Sequence, residues 1–387
     1  MDNHTKTGRN APSEPVRVLN LFTILDRGGA ETMVMNYYRR MDRSRVQFDF
    51  LVHRPQEGAY EKEILALGGR IFRLPGLRPG NFTAYYKMAR AFFRDHPEYR
   101  ILHAHMSELA CIAFMAAERE GVPVRICHAH NAPREWNVKA PMKFVFKHLI
   151  RRCATHLFTC GGDSGDWLYG RARRDRFIYL RNAIETKRFR FDPLVRERLR
   201  SQYGLGEKLV LGHVGRMEKV KNQTFVLDIL KSLTRRGEDA VCLLIGRGSL
   251  EEKLRERAAS LGLEERVYFL GARDDVADLL QMMDAFVFPS YFEGASVSLI
   301  EAQTAGLPCF VSAEQSGDAV ITENVTRISL KERADAWAER ILLTLKDFER
   351  KDMAREVAEA GYDIDECAGK LEAFYTALAK DAEECEK

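Results

Sequence analysis

The chain predicts an α/β protein built from two parallel-sheet domains. Three observations carry that reading. Strand-like and helix-like stretches alternate from Val16 to Ser312, the pattern that parallel βαβ units produce. The alternation restarts near residue 208, and 387 residues is the length of two ordinary domains. The charge divides at the same place. Residues 1–190 hold 33 Lys and Arg against 19 Asp and Glu, a net +14, whereas residues 191–387 hold 27 against 37, a net −10.

The elements follow in order. Val16–Thr23 predicts the first strand; it runs into Asp26-Arg27-Gly28-Gly29-Ala30-Glu31, and a helix continues to Arg40. Further strands are expected at Val46–Val52, Arg70–Leu74, Ile101–Ala104, Val124–Ala129, Thr155–Thr159 and Phe177–Leu180, with helices between most of them. Asn182-Ala183-Ile184 closes this half. The second half predicts strands at Lys208–His213, Ala240–Ile245, Val267–Leu270, Ala285–Pro289 and Cys309–Ser312, and helices from Lys331 onward. The expected division is a disordered leader over 1–15, domains over 16–188 and 189–362, and a final helix within 363–387.

Composition excludes several classes. At 45% hydrophobic and 30% charged the chain reads as globular and soluble. No run approaches the length of a spanning helix, and Met1–Pro15 lacks the apolar core of a secretory signal. The eight cysteines form no C-x-x-C pair, so reduced, mostly buried thiols in a cytoplasmic protein are expected. The basic half would favour an anionic surface, and neither it nor its helices carry the signatures of a nucleic-acid module.

The most informative stretch runs from Pro289 to Pro308. Glu293 is placed in the loop after a strand, and Glu301 inside the helix that follows and ends at Gly306. Gly294, Ala295, Ser296 and Val297 lie between them, and most are small enough for backbone amides to approach a ligand at the helix N-terminus, a natural phosphate site. A second motif, His213-Val214-Gly215-Arg216, ends a strand and leads to Lys221. Arg216 and Lys221 are cations suited to a diphosphate leaving group. Gly28-Gly29 permits a tight turn and close backbone approach, but is not a full dinucleotide motif. Gly246-Arg247-Gly248 and Leu270-Gly271-Ala272-Arg273 end two more strands. Cys127-His128-Ala129-His130-Asn131 and His103-Ala104-His105 end strands of the first half. No carboxylate or cysteine pattern completes a metal site around these histidines.

Glu293, Gly294, Glu301 and the Gly306-Leu307-Pro308 exit resemble the donor motif of retaining family-4 glycosyltransferases of GT-B fold, as does Gly215-Arg216 with Lys221. Gly28-Gly29-Ala30-Glu31, the His-Ala-His-Asn strand end and Glu301-Ala-Gln-Thr-Ala-Gly-Leu-Pro-Cys309 are similar to the capsule and exopolysaccharide branch. The resemblance implies two Rossmann-like domains facing across a cleft, with the last helix returning to the first domain. It implies sugar transfer from a nucleotide diphosphate donor, a UDP-sugar by expectation, to a saccharide or lipid-linked acceptor, with no metal and no cofactor. By that resemblance Arg216 and Lys221 stabilise the diphosphate, aided by the amides of Ala295–Val297. Glu301 binds the ribose, Glu293 holds the sugar hydroxyls, and His130 meets the sugar from the opposite domain. Gly28, Gly29, Gly215 and Gly294 line the donor, and Arg273 lies beside the base. His105 is an acceptor-side candidate, and His128 is expected on the opposite face of its strand from the site.

Ser312–Asp318 departs from the family by holding one glycine where a pair is usual. Two readings of the helix Met142–Arg152 stay open. Its row of Lys143, Lys147 and Arg151 is either a solvated face or one that docks on anionic lipid at the inner membrane, as the aromatic and basic stretch Phe82–Arg94 would support. Two rival functions also stand: a nucleotide-sugar 2-epimerase of related fold, and a non-catalytic binding subunit of a polysaccharide-assembly complex.

Overall fold

A computed structural model describes residues 14–130 and 140–384. The leader expected at 1–15 therefore lies almost wholly outside the described residues, as do Asn131 and Cys385. Two fully parallel sheets make up the molecule. The first holds β1 (Val16–Phe22), β2 (Val46–Val52), β3 (Ile71–Arg73), β4 (Ile101–Ala104), β5 (Val124–Ala129), β6 (His156–Thr159) and β7 (Phe177–Tyr179). The second holds β8 (Leu209–Val214), β9 (Ala240–Ile245), β10 (Val267–Gly271), β11 (Ala285–Phe288), β12 (Cys309–Ser312) and β13 (Val325–Ile328).

Strand order is β3-β2-β1-β4-β5-β6-β7 in one sheet and β10-β9-β8-β11-β12-β13 in the other. Each sheet reverses direction once, between β1 and β4 and between β8 and β11. At such a point the helices leaving the two strands cover opposite faces, and their loops part to leave a crevice at the strands' carboxyl ends. The central strands are buried on both faces, which explains their near-continuous apolar runs: β2 and β9 are buried at every position. Strand β13 escapes the sequence reading because it is an edge strand. Only Ile328 of its four residues is buried, and Arg327 is exposed.

The last helix, Ile364–Glu384, crosses back as the resemblance implies. It packs through Ile364, Ala368, Leu371 and Tyr375 against the face of the first sheet that carries Phe48 and Phe158. The Glu372 carboxylate accepts from the Asp42 amide at 3.0 Å and pairs with Arg45 at 2.5 Å. Tyr375 is fully buried, and its hydroxyl lies 2.6 Å from His103 Nδ1 on β4. The seven described cysteines are free and buried. Among the described residues no helix is long and apolar enough to cross a membrane.

The helix Ala140–Cys153 corrects both readings of its basic row. Lys147 stands 3.2 Å over the Trp167 ring and donates to the Trp167 carbonyl at 2.9 Å. Arg151 donates to the Leu168 carbonyl at 3.0 Å, and Lys143 pairs with Glu108 at 3.7 Å. The row therefore packs onto its own domain, and Phe144, Val145, His148 and Arg152 face outward instead.

Replacing Tyr375 by Ala should cost about 3–5 kcal/mol, because it opens a cavity under the returning helix. Tyr375→Phe removes only the bond to His103 and should cost about 1 kcal/mol. Urea unfolding midpoints of the two variants check the difference.

Candidate donor site

The loops after β8 and β11 meet at the reversal point of the second sheet. Lys221, in the turn after β8, pairs with Glu293, in the loop after β11, at 2.7 Å, and both side chains are largely buried. Backbone contacts weld the two loops: the Tyr291 amide donates to Val220 O at 2.9 Å, and the Asn222 amide group to Pro289 O at 3.1 Å. Asn222 adopts a left-handed backbone (φ 54°) that turns the chain into the next helix. His213 braces the strand end from beneath. Its Nδ1 lies 2.9 Å from Val287 O, its Nε2 meets Gln223, and burial lowers its pKa to about 4.

Arg216 projects from the same turn and is exposed to the cleft. Gly215 and Met217 are fixed behind it. A Cβ at Gly246 would stand 2.1 Å from Gly215 O, and one at Gly248 2.3 Å from Met217 O. The Gly246-Arg247-Gly248 turn thus supports the β8 loop by close backbone packing. Arg273 forks onto Asp275 at 2.7 and 2.5 Å, which engages its guanidinium.

The helix Val297–Thr304 begins at Ser296, whose side chain makes no cap. The amides of Ser296 and Val297 donate to no described residue, whereas the Ala295 amide is turned to the Cys160 thiol. Glu301 is in the second turn of this helix. Burial raises its carboxyl to about 8, only partly offset by Arg188. Gly306 ends the segment at φ 70°, packed so closely on Lys351 O that no side chain fits.

The first domain closes against this site. Its Gly28 is the N-cap of the helix Gly29–Arg40, and the Glu31 carboxylate folds back over the Gly28 Cα. Gly29 faces open space. Burial raises Glu31 to about 6, with Arg216 across the cleft working against that shift. His130 leaves β5 at the glutamate loop: a Cβ at Gly294 would stand 2.5 Å from His130 O. Asn182 donates to Ala295 O. Asp318, one position past the lone glycine of the Ser312–Asp318 loop, accepts from the Gly162 amide at 3.1 Å across the cleft. That loop therefore carries a carboxylate that spans the two domains.

Four buried histidines line the β4–β5 ends. His128 stacks on His130 at 4.1 Å, so it lies on the same face, contrary to expectation. The reason is elementary: residues two apart on a strand point the same way. His105 sits with them, stacked on Phe22 at 4.4 Å. His103, His105 and His128 each place a nitrogen within 4.8 Å of the others. Lone pairs lie in the ring planes, however, and the His103 ring stacks on those of His105 and His128, 28° and 18° from parallel, so these pairs do not converge on one point.

Glu31, Asn182 and Asp318 were not singled out from sequence. Each nonetheless lies in a stretch the sequence marked, Gly28-Gly29-Ala30-Glu31, Asn182-Ala183-Ile184 and Ser312–Asp318, but the contacts of Asn182 and Asp318 are between domains and leave no local pattern.

Two parallel Rossmann-like sheets, with a crevice at the carboxyl ends of their strands, define the GT-B fold. The family described as Glycosyl transferases group 1 matches residues 195–362, and the Glycosyl transferase 4-like domain matches 28–183. The protein named glycosyltransferase EpsF of Bacillus subtilis (strain 168) is 37% identical over 374 residues, covering 93% of this chain and 96% of its own. The UDP-Gal:alpha-D-GlcNAc-diphosphoundecaprenol alpha-1,3-galactosyltransferase of Escherichia coli is 27% identical over 56% of this chain and 58% of its own. Anabaena Alr3699/HepE, solved in complex with UDP-glucose, superposes with a TM-score of 0.76 at 19% identity, covering 93% and 99% of the two chains. The chain belongs to the group 1, family-4 glycosyltransferases.

Two outcomes follow from this geometry. Gly294→Ala should push the two domains apart at His130 O, lower turnover at least tenfold and cost about 1–3 kcal/mol of stability, read as a lower urea midpoint. Glu301 holds its proton to about 8 when folded but ionises near 4.5 when unfolded, so its stabilising contribution is full below 4.5 and is lost as pH rises through 8. Glu301→Gln should remove that decline, and paired urea titrations from pH 5 to 8.5 would show it.

Proposed function

We propose that this enzyme transfers a hexose from a nucleotide diphosphate donor, a UDP-sugar, to a saccharide or lipid-linked saccharide acceptor in surface polysaccharide synthesis. One observation carries the reading: Lys221, Glu293, Arg216 and the unpartnered Ser296 and Val297 amides gather at the β8–β11 reversal. Cations and helix amides aimed at one place suit a leaving diphosphate, on which negative charge builds as the glycosidic bond breaks. Fixed donors of this kind stand in for a divalent metal, so none is required. The UDP-Gal and diphosphoundecaprenol named for the Escherichia coli relative support the donor and the lipid-linked acceptor.

In this reading Glu301 takes the ribose hydroxyls, Glu293 the sugar hydroxyls, and His130 meets the sugar from the other domain. Retention follows a front-face course. The bond from the anomeric carbon to the phosphate oxygen breaks, the acceptor oxygen bonds to the same face, and the acceptor proton passes to the leaving phosphate. The outward Phe144 and Val145, beside His148 and Arg152, support a peripheral approach to anionic membrane. The family match does not favour the epimerase, which would convert the donor alone into its C2 epimer.

Calorimetry with UDP, GDP, ADP and their sugar conjugates, in EDTA, tests the proposal. One nucleotide diphosphate should bind, and Arg216→Ala should weaken it about tenfold or more. Folded protein that binds none of them would contradict the donor site, and epimerised donor in the absence of acceptor would favour the rival.

A further inference from the structure

We propose that Asn20 and His105 act as positioning residues that fix His130 as a hydrogen-bond acceptor, so that the site selects a donor sugar bearing a hydroxyl where His130 meets it and disfavours one bearing a carboxylate there. The selection rests on the reading above that His130 meets the sugar; the wiring does not.

The three residues lie on or at the ends of β1, β4 and β5, with β4 between the other two. Asn20 is fully buried. Its Nδ2 faces two carbonyls, Val18 O at 3.4 Å and Asp49 O at 3.5 Å, which sets Oδ1 toward His105. An amide oxygen only accepts, so His105 Nε2, 3.2 Å from it, carries the hydrogen. His105 is neutral, held so by burial and by three neighbouring imidazoles. A neutral histidine ring has one N–H, and His105 Nδ1 is therefore bare. His130 Nε2 stands 2.9 Å from that bare nitrogen and must donate to it. Burial keeps His130 neutral as well, with a pKa of about 3. Its own Nδ1 is then the bare atom, and it makes no hydrogen bond to a described residue. Phe22 stacked on His105 and His128 stacked on His130 hinder ring rotation.

A bare ring nitrogen pairs with an O–H and cannot donate. Set against a carboxylate, it opposes acceptor to acceptor with no positive charge to compensate. His103 takes no part in this chain, because its Nδ1 is held by Tyr375.

Long-range proton–nitrogen NMR of the full chain labelled with ¹⁵N-histidine tests the wiring without any ligand. His130 should carry its proton on Nε2. Asn20→Leu should let both His130 tautomers appear, while His105→Gln, which still accepts from His130 and donates to Asn20, should keep the single one. Calorimetry tests the selection: UDP-glucose should bind roughly tenfold tighter than UDP-glucuronate, and Asn20→Leu should narrow that ratio with affinity for UDP itself unchanged. A wild-type Nδ1–H tautomer overturns the wiring whatever the sugars do. An Nε2–H tautomer with UDP-glucose and UDP-glucuronate bound equally well overturns the selection, whereas failure of UDP and both conjugates to bind folded protein counts against the donor site itself.

Discussion

The reversal of strand order between β8 and β11 is the constraint on which the donor site depends. It sends two helices to opposite faces and leaves their entry loops as the two sides of one crevice. Residues 72 positions apart, Lys221 and Glu293, thereby come within 2.7 Å of each other. A buried lysine and a buried glutamate would each be costly alone, and as a pair they hold both loops in place. The β9–β10 loops sit behind, where Gly246 and Gly248 allow backbone to press on backbone. The loops of the site are thus joined through backbone and side-chain contacts rather than presenting independent side chains.

The first domain completes the cradle at few points, and each depends on something small or polar. Gly294 admits the His130 carbonyl, Asp318 accepts from the amide that opens the helix Gly162–Tyr169, and Asn182 holds the Ala295 carbonyl. None of these three is a large apolar contact; the apolar contribution of the first domain's strand ends is Cys160, packed into the second domain's core with Ala295 and Ala319. The returning helix Ile364–Glu384 is different in kind, because it buries apolar residues on the first sheet and ties the chain's end to that domain.

Much of this was legible in the sequence, for identifiable reasons. β2, β4, β5, β9 and β12 match their expected bounds: β9 and β12 are almost wholly apolar, and β2, β4 and β5 keep enough β-branched, aromatic and aliphatic residues around Gln47, Asp49, His103 and Arg125 to read as strands. The glutamate turn and Gly215-Arg216 were legible because each ends such a strand and opens a helix. β13 was not, since a four-residue edge strand containing Arg327 carries no run. The basic row of Lys143, Lys147 and Arg151 misled because spacing gives a face but not its neighbour, and Trp167 lies twenty residues away from Lys147 in the chain. The side on which His128 lies needed only the two-residue period of a strand. The Asn20–His105–His130 chain links three separate strands, and no local pattern announces it.

The most direct measurement is a crystal structure of the enzyme with a UDP-sugar. The account predicts the diphosphate against the Ser296 and Val297 amides, with Arg216 and Lys221 on its oxygens. It also predicts the ribose at Glu301 and the sugar between Glu293 and His130. A nucleotide seated instead at the β1–β4 reversal of the first sheet, with the β8–β11 crevice empty, would contradict it.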